Sequence, residues 1–361
     1  MLGSVLNVLS CVIRDLNSDS VDVLSMFEVI MVVLSLFDGM SCGMLALKRA
    51  GIQVDSYFAS EIDKYAVQVS KKNWSEIIHI GDVTQVKYKD GVLHTQFGSY
   101  KTKIDMVIGG SPCQSFSVAG DGSGFDGESG LFFEYLRILR EVNPKYFLLE
   151  NVVMKKQWEE VINSELGVKP IMINSALVSA QNRKRLYWTN IDGITQPQDK
   201  GYVLKDILEV HLFDDVNKPT ERTMKNLRCI SSKSKCLTAS MYKGCGSNGQ
   251  TIIDLNNFVQ NLTLTKENKA YALTASYSGA VAWNSVEKKQ RSMVVFEESL
   301  EITPNTYGGK AYRKLTPIEC ERLQTLPDDY TSGVSNTQRY KMIGNGWTVD
   351  VIAHIFSFIG K

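Results

Sequence analysis

The sequence predicts an α/β protein with a mixed, mostly parallel sheet, joined to a small, mainly β or irregular region. Three observations carry this. From Val32 to Asn190, short apolar runs alternate with stretches at helical spacing, the rhythm of parallel strands joined by crossover helices. From about 191 to 310 short Thr/Ser-rich pieces replace that rhythm. From 311 to 361 helical spacing returns. A chain of 361 residues is long enough to bury the core of a large domain beside a small one.

VVLSLF (32–37) reads as a buried strand, followed by the turn DGMSCG (38–43) and a helix to about Ala50. VDSYFASEID (54–63) is strand then turn, KYAVQVSKKN (64–73) is helical, and EIIHIGDV (76–83) is strand then turn. IDMVIGG (104–110) is a strand that runs into Ser111-Pro112. In 130–142 the apolar residues Leu131, Phe132, Tyr135, Leu136, Leu139 and Val142 fall at helical spacing, and Pro144 ends the helix. KYFLLEN (145–151) is again a buried strand. In 191–310, KCLTASMYKG (235–244) and YALTASYSGA (271–280) echo each other, which suggests two similar β segments. Thr316-Pro317 opens a helix, with Glu319 completing a capping box. Residues 344–360 read as a Gly-rich turn followed by an apolar helix. Residues 1–30 are expected to be a peripheral extension, possible upstream sequence ahead of Met31, or equally a packed N-terminal helix.

Composition narrows the function classes. Hydrophobic content is 43%, charged content 22% and formal net charge +1, so any nucleic-acid surface must come from local clustering. One cluster exists. Between Arg222 and Ile253 stand Arg222, Lys225, Arg228, Lys233, Lys235 and Lys243, with no acidic residue. This is either a solvated loop or a phosphate-contacting surface. The seven cysteines include no C-x-x-C pair, which argues against zinc or a secreted disulfide framework and for a reducing cytoplasm. No apolar run is long enough for a membrane span.

The candidate chemistry lies at the strand ends, where open α/β sheets bind ligands. The turn Phe37–Gly43 is either a plain tight turn or an anion- or nucleotide-holding one. Glu61 stands where an acid binds a ribose hydroxyl in nucleotide folds, and Asp82 is suited to an adenine amino group. Each acid alone reads as a solvated strand end; the three features together read as an adenosyl pocket. The sharpest feature is Gly109-Gly110-Ser111-Pro112-Cys113-Gln114. Most free cysteines are small buried apolar residues, a reading that suits Cys42, Cys229 and Cys320. At this stiffened turn Cys113 reads as an activated nucleophile. The glycines at 120, 122, 124, 127 and 130 suggest either a lid or a plain surface loop. Glu150, ending the next strand, is a solvated acid or, in its neutral form, a donor to a ring nitrogen. Arg183 and Arg185, two apart, share a face if extended; the segment is either a plain surface strand or one whose two guanidiniums suit a phosphate or a base carbonyl.

These motifs, in this order over Val32–Asn190 and Arg313–Gly360, resemble the cytosine-C5 DNA methyltransferase family of bacteria and phages. The resemblance implies a Rossmann-like, S-adenosylmethionine-dependent methyltransferase domain in residues 31–190 and 311–361. Residues 191–310 would form a target-recognition domain. It implies a cofactor set of Phe37, Asp38, Gly39, Glu61, Ile62, Asp82, Val83, Pro112, Asn345 and Gly346. Cys113 and Glu150 would be catalytic, supported by Arg183 and Arg185 of the Q-x-R-x-R motif. Gln114, Ser115 and Ser117, with the six basic residues of the recognition region, would contact DNA. Departures are Asp38 and Ser41 for the usual Ala and Gly, and Gly346-Trp347 for the usual Ser-Val.

The mechanism implied is attack of the Cys113 thiolate on C6 of a flipped-out cytosine, with Glu150 on N3. Expected partners are double-stranded DNA and, in a host with a restriction system, a cognate endonuclease. No metal or membrane is expected, and a cytoplasmic monomer is. The competing readings are a tRNA cytosine methyltransferase of the same fold, a nucleotide-dependent oxidoreductase, and a non-catalytic DNA-binding relative.

Overall fold

The computed structural model describes residues 30–112, 128–209 and 315–361 and, as backbone only, short strand pieces between 227 and 314. Elements alternate from the start: β1 (Ile30–Leu36), α1 (Cys42–Arg49), β2 (Gln53–Ser60), α2 (Lys64–Asn73) and β3 (Ile78–His79). A three-stranded meander follows, β4 (Lys87–Lys89), β5 (Val92–Thr95) and β6 (Gly98–Lys101). Next come β7 (Met106–Gly109), α3 (Phe132–Val142), β8 (Tyr146–Val152), α4 (Lys156–Leu166) and β9 (Ile171–Asn174). Two strands close this half, β10 (Gln181–Asn182) and β11 (Lys184–Thr189). The C-terminal segment holds α5 (Pro317–Leu323), α6 (Asn336–Asn345) and α7 (Val349–Phe356).

The main sheet has seven strands in the order β3-β2-β1-β7-β8-β11-β9. β1 is parallel to β2 and β7, and β7 to β8. β11 alone reverses, antiparallel to both β8 and β9. Strands covered on both faces need apolar residues on both, which is why β1 reads as a run rather than an alternation. Val33, Met106, Ile108 and Leu148 join one core with residues of α1 and α7. Leu34, Leu36, Val107 and Leu149 join the other, with residues of α3 and α4. Removing a side chain such as Leu34, fully buried, costs about 2–5 kcal/mol.

Short strand pieces pair within 227–314. Residues 252–253 lie between 227–228 and 313–314, and 310–311 lie between 296–297 and 306–307. β10 pairs with 234–235.

The structure corrects one boundary and adds elements. Gly344 and Asn345 do not open a turn; they are the last residues of α6, and the turn begins at Gly346, whose N–H donates to Met342 O at 2.8 Å. α6 carries few apolar residues, burying only Tyr340, Met342, Ile343 and Gly344, so its spacing gives little helical signal. The β4–β6 meander, α4 and β9 are likewise additions. The capping box at Thr316 forms as expected: Glu319 N–H donates to Thr316 Oγ1, and Thr316 N–H to Glu319 Oε2.

Candidate active site

β1 ends in a strained turn. Phe37 (φ 57°) and Ser41 (φ 62°) are left-handed without being glycine, and Gly39 is left-handed too. Such a conformation costs on the order of 1 kcal/mol or more at each non-glycine residue and survives only when neighbours impose it. Here they do. Asp38 N–H donates to Ser60 O at 3.0 Å, and Gly39 N–H to Glu61 Oε2 at 2.8 Å. Glu61 Oε1 accepts Ile62 N–H and Asp63 N–H, both at 2.8 Å. One carboxylate therefore ties together the ends of β1 and β2. A carboxylate has about four acceptor positions; these three bonds leave one for a hydroxyl. Beside it Ile62 is 76% exposed, an apolar face next to a polar clamp.

The carboxyl of Asp38 turns inward. It accepts Tyr57 OH at 2.6 Å and Ser41 Oγ at 2.5 Å. Burial pushes it up to about 6, against the pull of these hydroxyls and that of Ser35. Position 38, expected in the cofactor set, thus spends its side chain on bracing the turn. Asp82 caps the short helical turn Val83–Gln85 by accepting Thr84 N–H at 2.9 Å. Gly81 (φ 78°) lies under Gln96, whose amide nitrogen is 2.4 Å from where a Cβ would stand. Gln96 Oε1 accepts Asp82 N–H at 3.4 Å. No motif pointed to Gln96.

Each residue before Cys113 is confined. A Cβ on Gly109 would lie 2.8 Å from Leu36 O and 3.1 Å from the Tyr135 ring. Ser111, buried, receives Asn151 Nδ2 on its hydroxyl at 3.2 Å. Pro112 is half-buried. Cys113, Gln114, Ser115 and Ser117, and the glycine-rich stretch that follows, lie outside the described residues, as do Arg222, Lys225, Lys233 and Lys243. Arg228 and Lys235 fall on strand pieces described as backbone only.

Glu150 lies near the end of β8, is 9% exposed, and is gripped from two sides. Arg185 Nε approaches Oε1 at 3.0 Å, and Trp347 Nε1 donates to Oε2 at 3.1 Å. The antiparallel register sets Arg185 opposite Val152, which brings its guanidinium back over Glu150. Arg183 is buried and serves a different end, donating to Gly344 O at 3.3 Å and Gly346 O at 3.0 Å. Lys184, between them, is exposed. Gln324, fully buried, donates to Ile343 O at 2.8 Å and Gly346 O at 3.0 Å, and accepts from Gln181 and Thr348. The Q-x-R-x-R segment and the C-terminal helices are thus locked together. Gly346 rests on the first turn, where a Cβ would meet Met40 Cε at 2.7 Å. Asn345 is exposed at the end of α6.

The two cysteines that the structure describes are inert. Burial pushes the Cys42 thiol up to about 12, and Cys320 is fully buried. Among the described residues no cluster of His, Cys, Asp or Glu could hold a metal ion. Among them, too, no helix is long and apolar enough to cross a membrane.

The profile described as C-5 cytosine-specific DNA methylase matches residues 31–361. The orphan methyltransferase M.SPRI of Bacillus phage SPR is 27% identical, the match covering 90% of this chain and 96% of that protein. The type II methyltransferase M1.ScrFI of Lactococcus lactis subsp. cremoris is 30% identical, over 83% of this chain and 70% of that one. Among solved structures, the Entamoeba histolytica methyltransferase EhMeth shares the fold, with a TM-score of 0.62 at 15% identity over 92% of this chain and 97% of that one. The chain belongs to the C-5 cytosine-specific DNA methylase family, a family of DNA (cytosine-5-)-methyltransferases.

Proposed function

We propose that this protein methylates C5 of a flipped-out cytosine in a specific duplex DNA site, through a covalent bond between Cys113 and C6. The observation that carries the reading is Glu150. It sits near the end of β8, beside β7, the strand that leads into Pro112-Cys113, with one carboxyl oxygen on Arg185 and the other on Trp347. A fixed carboxyl next to a nucleophile-bearing turn is what attack on a pyrimidine ring requires.

The donor proposed is S-adenosylmethionine, which when bound supplies an electrophilic methyl group to C5. The residues fit it: Glu61 has an acceptor position free for a ribose hydroxyl, Ile62 offers an apolar face, and Asp82 stands at the next strand end. Phe37, Gly39, Val83, Pro112, Asn345 and Gly346 complete the proposed pocket.

A cytosine stacked in a duplex is out of reach, so it must leave the helix. The Cys113 thiolate adds to C6, and electron density moves toward N3 and onto C5. Glu150 holds N3 and offsets the charge developing there. After methylation of C5, a base, most simply water, removes the C5 proton, the C6–S bond breaks and the thiolate is restored. Arg185 orients Glu150, and Arg183 holds the C-terminal segment against the site. Gln114, Ser115, Ser117 and the basic residues of 222–243 are proposed to contact DNA.

Incubation with tritiated S-adenosylmethionine and either unmethylated duplex DNA or tRNA tests this reading. Label on DNA at cytosine C5, located by bisulfite sequencing, is expected; label on tRNA alone would replace the DNA reading with the RNA one.

A further inference from the structure

The segment Gly344–Thr348 departs from the usual pattern at Gly346-Trp347, and the structure gives Trp347 an occupation. Its indole N–H donates to Glu150 Oε2 at 3.1 Å, across 197 positions of sequence. The same nitrogen stands 3.0 Å from where a Cβ on Gly110 would be, and Glu150 Oε2 stands 3.1 Å from that point. The far edge of the ring reaches toward α1, its Cζ3 lying 3.5 Å from a Cβ built on Gly43. The indole is therefore wedged between the first turn's helix, the backbone before Pro112-Cys113, and the Glu150 carboxyl. Arg185 Nε faces the other oxygen, Oε1, at 3.0 Å. Without a second donor, the carboxyl plane would be free to swing about that one contact, because the terminal torsion of a glutamate is broad.

We infer that Trp347 is a positioning residue for Glu150: its indole N–H fixes the carboxyl plane so that the edge facing a base is already set when cytosine arrives. The inference rests on the proposed function and deepens it. It assigns Trp347 to the base side of the site rather than to the wall of the donor pocket. A Cβ at Gly110 would press on both the indole nitrogen and the carboxyl oxygen, so one of them would have to shift by a few tenths of an ångström.

The test compares wild type, Trp347→Phe, Glu150→Ala and the double variant in single-turnover methylation of unmethylated genomic DNA with tritiated S-adenosylmethionine. Phenylalanine keeps the ring and removes the N–H. The expected result is a rate lower by about tenfold, the worth of one hydrogen bond, with the half-saturating donor concentration within about twofold of wild type. In the Glu150→Ala background, which has no side-chain acceptor for the indole, Trp347→Phe should add little. A raised donor requirement with an unchanged rate would make Trp347 a pocket wall and overturn the inference. So would an equal loss in both backgrounds, which would show that the indole acts independently of Glu150. Gly110→Ala keeps the indole and displaces one member of the pair, and should reproduce the same loss even if Trp347→Phe folds poorly; an unimpaired Gly110→Ala enzyme would also overturn it. A wild type that labels no cytosine defeats the proposed function itself, whereas a fully active Trp347→Phe enzyme defeats only this inference.

Discussion

The two carboxylates of the site are held in opposite ways. Glu61 is held by backbone N–H groups, those of Gly39, Ile62 and Asp63, none more than 22 positions away. Glu150 is held by two side chains, Arg185 on a reversed strand and Trp347 from the far end of the chain. The Glu61 clamp can form once β1, α1 and β2 are in place. The base end exists only after the C-terminal helices have returned and Gln324 and Arg183 have bound the Gly346 carbonyl. One end is a property of a turn; the other is a property of the whole fold.

Substitutions should separate the two ends. The largest effect is expected from Cys113→Ala, which should lower methyl transfer by more than about a thousandfold, as loss of a nucleophile does elsewhere, while a gel shift still reports DNA binding. Glu150→Ala should lower the maximal rate by about a hundredfold or more, in the range for removing a preorganised group from a developing charge, with little change in donor saturation.

Asp38 probes the scaffold of the donor end. Its carboxyl is raised from 3.8 to about 6 in the folded protein, so the folded state holds the proton more tightly than the unfolded one. Stability from this group is complete below about pH 4 and is lost as pH rises through 6. Asp38→Asn should remove that slope, on the order of 2 kcal/mol, measured by urea unfolding at pH 4 and 7. The smallest effect is expected from Glu61→Ala: donor affinity weaker by about tenfold in calorimetric titration, with the rate at saturation close to wild type. If Glu61→Ala instead abolished the rate at saturation, the two ends would not be independent.

Much of this was legible in the sequence, for a physical reason. Strand ends followed by acids, a Gly-Gly-Ser-Pro approach and a Thr-x-x-Glu cap are local patterns, and the turn at Phe37, the Glu61 clamp and the Thr316 capping box are locally determined structures. What sequence could not supply was contact at a distance. Trp347 stood out only as a departure from the motif, since nothing in Gly346-Trp347-Thr348 says that its indole reaches Glu150. Gln96 sits on an unremarked hairpin turn yet covers Gly81. The inward turn of Asp38 depends on Tyr57, which belongs to the neighbouring strand. α6 gives only a weak periodic signal because it packs through a few residues and carries Gly344 inside its last turn.

The central claim, a covalent Cys113–C6 bond, is most directly tested with duplex DNA carrying 5-fluorocytosine in its target sites. After methylation fluorine cannot leave C5 as a proton does, so the adduct cannot collapse. In the presence of S-adenosylmethionine the account predicts a protein–DNA complex that survives denaturing electrophoresis, and none with Cys113→Ala. A wild-type enzyme that methylates ordinary DNA yet forms no such complex, or a Cys113→Ala variant that still does, would contradict it.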